Sequence, residues 1–235
     1  MTLHLSLDNL SELSVAREIT FAGDEVRLAG QIDYPVTTQT PNGFPLLFIL
    51  HHAGWNTRED YQHIANLALE CGYAVFRWDK RGTGRSGASG RGSSSQDAVN
   101  AYTIALEQAG INRKQVVIAA FGAGSALLGS AFGLFARVQH PHGALLVANM
   151  LDSNAIIAID CAVKIIGGDE KHTPWQQYAE RACQAHRKAY AHGASWFVAH
   201  QTDQVLRLSD GTFHPQGRSE IEAWLKRLCQ PLILG

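Results

Sequence analysis

The chain has 235 residues, 46% of them hydrophobic and 17% charged, with a formal net charge of −1. That length carries a sizeable core in one large domain, and the near-neutral balance excludes the basic footprint of a nucleic-acid binder or an electrostatic draw to anionic membranes. No apolar run approaches the roughly 20 residues of a membrane span.

The start, MTLHLSLDNLSELS, lacks the basic residues and long apolar core of a secretory signal. Ile19-Thr20-Phe21 and Glu25–Asp33 then read as two strands joined by the turn Ala22-Gly23-Asp24. After a polar loop from Pro35 to Pro45, Leu46–His51 is a continuous apolar strand. Tyr61–Cys71 has helical spacing and stops at Gly72; Tyr73–Trp78 is the next strand, followed by Asp79 and the turn RGTGRSG. Residues 86–95 are rich in Gly and Ser and lead into a helix over Ala98–Gln108, with Ser94 or Ser95 as its cap. Gln115–Phe121 is a buried strand, and a helical run begins at Ala126. Gly143–Val147, Cys161–Ile166 and Ser195–Ala199 are further strands, with helices over Pro174–Ala191 and Glu220–Leu228. Strands alternating with helices predict an α/β fold, a central, mostly parallel sheet with helices on both faces. No linker or repeat divides residues 1–235, so a single domain is expected.

Cys71, Cys161, Cys183 and Cys229 are widely spaced and form no C-x-x-C pair. They read as reduced, mostly buried thiols of a cytoplasmic protein. His51, His52, His63, His172 and His200 show no familiar ligand spacing, so neither a metal nor another cofactor is expected.

The stretch QVVIAAFGAGSALLG, residues 115–129, has the small residues that a sharp strand-to-helix turn demands. Such a turn needs them two before and two after its apex, because the backbones approach closely there. Ala120 and Gly124 satisfy that spacing when Gly122 is the apex, and Gly122 has no side chain to attack with. Ser125 as apex would put Leu127 in the crowded position two residues on. As an ordinary residue, Ser125 belongs to the first turn of a helix.

Residues 44–87, FPLLFILHHAGWNTREDYQHIANLALECGYAVFRWDKRGTGRSG, resemble the α/β-hydrolase family. The family has a strand ending in His-Gly, a helix, and a strand ending in Asp-x-Arg-Gly-x-Gly-x-Ser; His51-His52 and Asp79–Ser86 hold those places. The chain looks most like the lidless esterases and the dienelactone-hydrolase-like or S33-peptidase-like proteins, with little room for a cap between Val147 and Cys161. The resemblance implies a nucleophile at Gly122, an acid at Glu170 or else Asp169, and a general base at Gln204. The nucleophile and base are therefore both replaced, a loss similar in kind at the elbow to that in the N-myc downstream-regulated family. It further implies oxyanion-binding amides at Ala123 and Ala53, with His52 in place of the family's glycine, Trp55 and Phe121 beside the pocket, and the Asp79–Ser86 loop as one wall.

Two functions follow. One is a non-catalytic member that binds a small molecule or a protein partner through the remaining pocket. The other is a hydrolase of small esters that uses displaced residues such as Ser125 and His214, the latter in the long loop 201–216. On the first reading, Gly122→Ser together with Gln204→His is the smallest change expected to restore weak esterase activity.

Overall fold

The computed structural model describes residues 14–39, 41–88, 90–169 and 175–229. Its strands are β1 (Ser14–Ala22), β2 (Arg27–Pro35), β3 (Phe44–Leu50), β4 (Ala74–Trp78), β5 (Ile111–Phe121), β6 (Gly143–Val147), β7 (Ala162–Asp169) and β8 (Ala194–His200). Its helices are α1 (Gln62–Glu70), α2 (Ser94–Leu106), α3 (Ala123–Val138), α4 (Trp175–Ala189) and α5 (Pro215–Cys229).

The strands form one sheet in the order β1-β2-β4-β3-β5-β6-β7-β8. β1 and β2 pair antiparallel with each other, and β2 with β4. Every pairing from β4 through β3 to β8 is parallel. The parallel part explains the near-continuous apolar runs, because both of its faces are covered. Along β5, Val116, Ile118 and Ala120 join the core beneath α2, α3 and α4, where Tyr102, Phe135 and Ala182 are buried. The alternate residues Val117, Ala119 and Phe121 face α1 and α5, packing with Ile64, Leu67, Trp224 and Leu225. The period of two thus divides one apolar strand between two cores.

The element types agree with the sequence reading, and β6 has the expected bounds. Others begin elsewhere for local reasons. α2 starts at Ser94 because Ser93, one residue before the expected caps, accepts from the Ser95 amide (3.2 Å). α3 starts at Ala123 rather than Ala126, directly after the turn. α5 starts at Pro215, five residues early; proline suits a first helical position, where its missing N–H is not needed. Pro174 and Glu170 lie outside the described residues.

Candidate functional site

The chain runs from β3 to β4 on one side of the sheet and reaches β5 on the other, which opens a crevice beyond the C-terminal strand ends. A cavity of about 370 Å³ lies there. His52 after β3, Gly122 after β5 and Ala148 to Met150 after β6 line one side. Residues of β7, Tyr178 and Ala179 of α4, and Thr202 to Gln204 after β8 complete it.

Gly122 is the residue between β5 and α3, at φ 47° and ψ −114°. That backbone suits glycine, since positive φ strains other residues. Its N–H donates to Val147 (2.9 Å), which ties the turn to β6. Gly124 must be small as well: a Cβ there would stand 2.7 Å from the carbonyl oxygens of Leu50 and His51.

Above Gly122 sits His52. A Cβ on Gly122 would lie 1.9 Å from His52 Nδ1, so the imidazole fills the space that a side chain at the apex would need. Three bonds hold it. The His52 N–H donates to Tyr61 Oη (2.8 Å), the Lys80 ammonium donates to the His52 carbonyl (2.6 Å), and the Ala123 amide donates to His52 Nδ1 (3.2 Å). Lys80 also donates to the Gly54 carbonyl (2.8 Å), clamping the loop. His52 does not adopt positive φ; that conformation falls to Gly54 (91°), so the histidine needs no glycine backbone. Burial first, and then the Lys80 charge, lower the His52 pKa and favour the neutral ring.

Gln204 is exposed at the cavity mouth, and no described residue bonds its amide. Its loop is braced from below. Asp203 Oδ1 accepts from the amides of Val205 (2.9 Å) and Arg207 (2.8 Å), while His63 Nε2 meets the Val205 carbonyl (2.7 Å). The structure therefore brings Gly122, His52 and Gln204 to one cavity. Asp169 ends β7 opposite His200, one residue beyond the cavity-lining Gly168.

Several expected site residues stand elsewhere. Ser125 is fully buried; its hydroxyl donates to the Gly122 carbonyl (2.7 Å) and accepts from the Met150 amide (2.9 Å), as part of the turn's scaffold. His214 lies outside the cavity, where Nδ1 accepts from the Gly217 amide (3.0 Å) at the start of α5. Phe121 points to the opposite core, with its ring 4.8 Å from that of Tyr61. Trp55 is 85% exposed and does not line the cavity. Ala53 is exposed too, and its carbonyl accepts from Asn56 Nδ2 (2.7 Å). The Ala123 amide is already spent on His52, so the expected pair of open oxyanion donors is not formed.

The Asp79–Ser86 loop walls no part of this cavity and folds onto itself. Asp79 accepts from the amides of Arg58 and Arg85 (both 3.0 Å), and Ser86 Oγ donates to the Asp79 carbonyl (2.6 Å). A Cβ on Gly84 would lie 2.3 Å from the Asp79 carboxyl carbon, which explains that glycine.

Sequence reasoning missed the seat of His52. A signal existed: the departures at His52 and Gly122 are complementary, a large ring set against a missing side chain.

The sequence profile of the family "Serine aminopeptidase, S33" matches residues 45–201. No curated protein matches the sequence. Among solved structures, the esterase domain of a Rhodothermus marinus protein superposes with TM-score 0.65 at 18% identity, over 91% of this chain and 99% of that one. A Pyrococcus furiosus esterase gives 0.67 at 14%, over 97% of each chain, and an arylesterase 0.69 at 15%, over 92% and 85%. At such identities the likeness shows the fold, the α/β-hydrolase fold.

Proposed function

The chain belongs to the serine aminopeptidase, S33 family of α/β-hydrolases, and we propose that it is a non-catalytic member that binds a small molecule. The observation that carries this reading is Gly122 at the elbow with the His52 ring in the space above it. In G-x-S-x-G elbows the apex supplies the serine hydroxyl, and a neighbouring imidazole takes its proton. Gly122 has no group to attack a carbonyl. The Gln204 amide is no base near neutral pH. The Ala123 amide, which would stabilise an oxyanion, is bonded to His52 instead. What remains is an open pocket able to hold a ligand without changing it.

The alternative, a hydrolase of small esters working through Ser125 and His214, is the result that would overturn this reading. Ser125 is buried with both hydroxyl roles filled, and His214 is engaged at the start of α5. A fluorophosphonate probe is expected to leave the native protein unlabelled. Stoichiometric labelling at Ser125 would make the chain an enzyme.

A further inference from the structure

A backbone N–H can only donate, so the Ala123–His52 contact makes Nδ1 an acceptor. In a neutral imidazole the single proton then sits on Nε2. Protonating Nδ1 would break this bond and set a cation at the positive end of α3. His52 is thus held as a neutral ring with one free donor, for among the described residues nothing accepts from Nε2.

Of the other polar side chains of the cavity, the Gln204 amide is exposed and unbonded by described residues, while Asn149 and Thr202 have partners. The Asn149 side chain spans the Leu151 carbonyl (2.9 Å) and amide (3.1 Å), and Thr202 Oγ1 donates to the Ala199 carbonyl (3.1 Å). Asp203 Oδ1 is taken up by its own turn. The remaining wall is mostly apolar and includes Met150, Ile165, Ala179 and the Tyr178 ring. A volume of about 370 Å³ is at the small end of ligand sites.

We infer that the cavity takes a neutral, largely apolar molecule with a carbonyl oxygen, as in an ester, ketone or amide, and that His52 Nε2–H is the donor to that oxygen. This deepens the non-catalytic reading and rests on it: an ester bound there stays intact. A hydrocarbon of the same shape leaves Nε2–H without a partner. A carboxylate is disfavoured because neutral donors, His52 Nε2–H and the Gln204 amide at the edge, do not offset its desolvation, and the Asp203 carboxylate in the wall repels it.

Methyl benzoate, ethylbenzene and benzoate separate these cases at nearly constant size. In the full chain labelled with ¹⁵N-histidine, long-range proton–nitrogen spectra read the His52 tautomer, and ligand titrations read affinity and the Nε2 shift. The expected results are the Nε2–H tautomer at neutral pH and a shift of Nε2 on adding methyl benzoate. Methyl benzoate should bind about five- to tenfold more tightly than either companion. His52→Phe, which keeps a ring over Gly122, should reduce that preference to near unity. The inference is overturned by the Nδ1–H tautomer, by no binding of methyl benzoate up to its solubility, or by equal affinity for ethylbenzene. Preference for benzoate, or binding that leaves Nε2 unshifted, also overturns it. The tautomer and shift are read on the native chain, so they decide the matter even if His52→Phe does not fold. Methanol released by the native chain would be a different failure: it would sink the non-catalytic reading while the initial affinities still judge the donor.

Discussion

Loops that leave the same end of the sheet treat the family pattern in opposite ways. Asp79–Ser86 matches that pattern residue by residue, yet its bonds brace its own turn and, through Lys80, the neighbouring His52 loop, and it lines no part of the larger cavity. The loops carrying His52, Gly122 and Gln204 depart from it, and all three residues line the cavity. A motif can thus be faithful because it holds a loop together. The departures gather at the cavity.

Removing the Asp79 carboxylate should produce the largest effect. Asp79→Ala strips the acceptor from two amides and leaves buried Arg58 short of a nearby charge (3.8 Å). Stability should fall by about 3 kcal/mol or more. The urea midpoint reads it, and a loss under about 1 kcal/mol would break the claim that this loop is structural.

Next is Gly122→Ser, expected to destabilise by about 2–3 kcal/mol through overlap with His52 and strain at positive φ. Adding His52→Gly should recover part of that loss. If the two changes are simply additive, the ring does not press on the apex. The same overlap bears on the expectation that Gly122→Ser with Gln204→His restores weak activity. With His52 in the nucleophile's space and on the Ala123 amide, adding a third change at His52 is expected to raise that activity.

Much of this was legible. The sequence showed the strand–helix alternation, the bounds of β6, and the small residues around Gly122, because each follows from local periodicity or a local steric demand. The positions of Phe121 and Trp55 were not legible from the resemblance alone. Phe121 falls on the other side of the sheet by the period of two, and Trp55 turns outward in a loop clamped by Lys80. The ring of His52 on Gly122 joins residues 70 positions apart by number, beyond the reach of any local pattern.

The adjacent histidines sharpen the comparison by pH. His51 is buried between Tyr61 and Trp78, with ring centroids 5.0 and 5.3 Å away, and among the described residues neither of its nitrogens has a hydrogen-bond partner. Burial first, then the Lys80 charge, pushes its pKa from 6.5 down to about 3. Below 6.5 the unfolded chain binds this proton while the native chain resists it down to about 3, so stability present above 6.5 is lost as pH falls. The contribution is about 1.4 kcal/mol per pH unit in that window. His51→Phe should reduce the slope of stability between pH 6 and pH 5 by about that amount. An unchanged slope would assign the effect to other groups.

The most direct test of the central claim is turnover of p-nitrophenyl acetate by the native chain, with Ser125→Ala beside it. A non-catalytic pocket predicts that both stay at the background rate of the ester in buffer. Turnover well above background that disappears with Ser125→Ala would contradict the account.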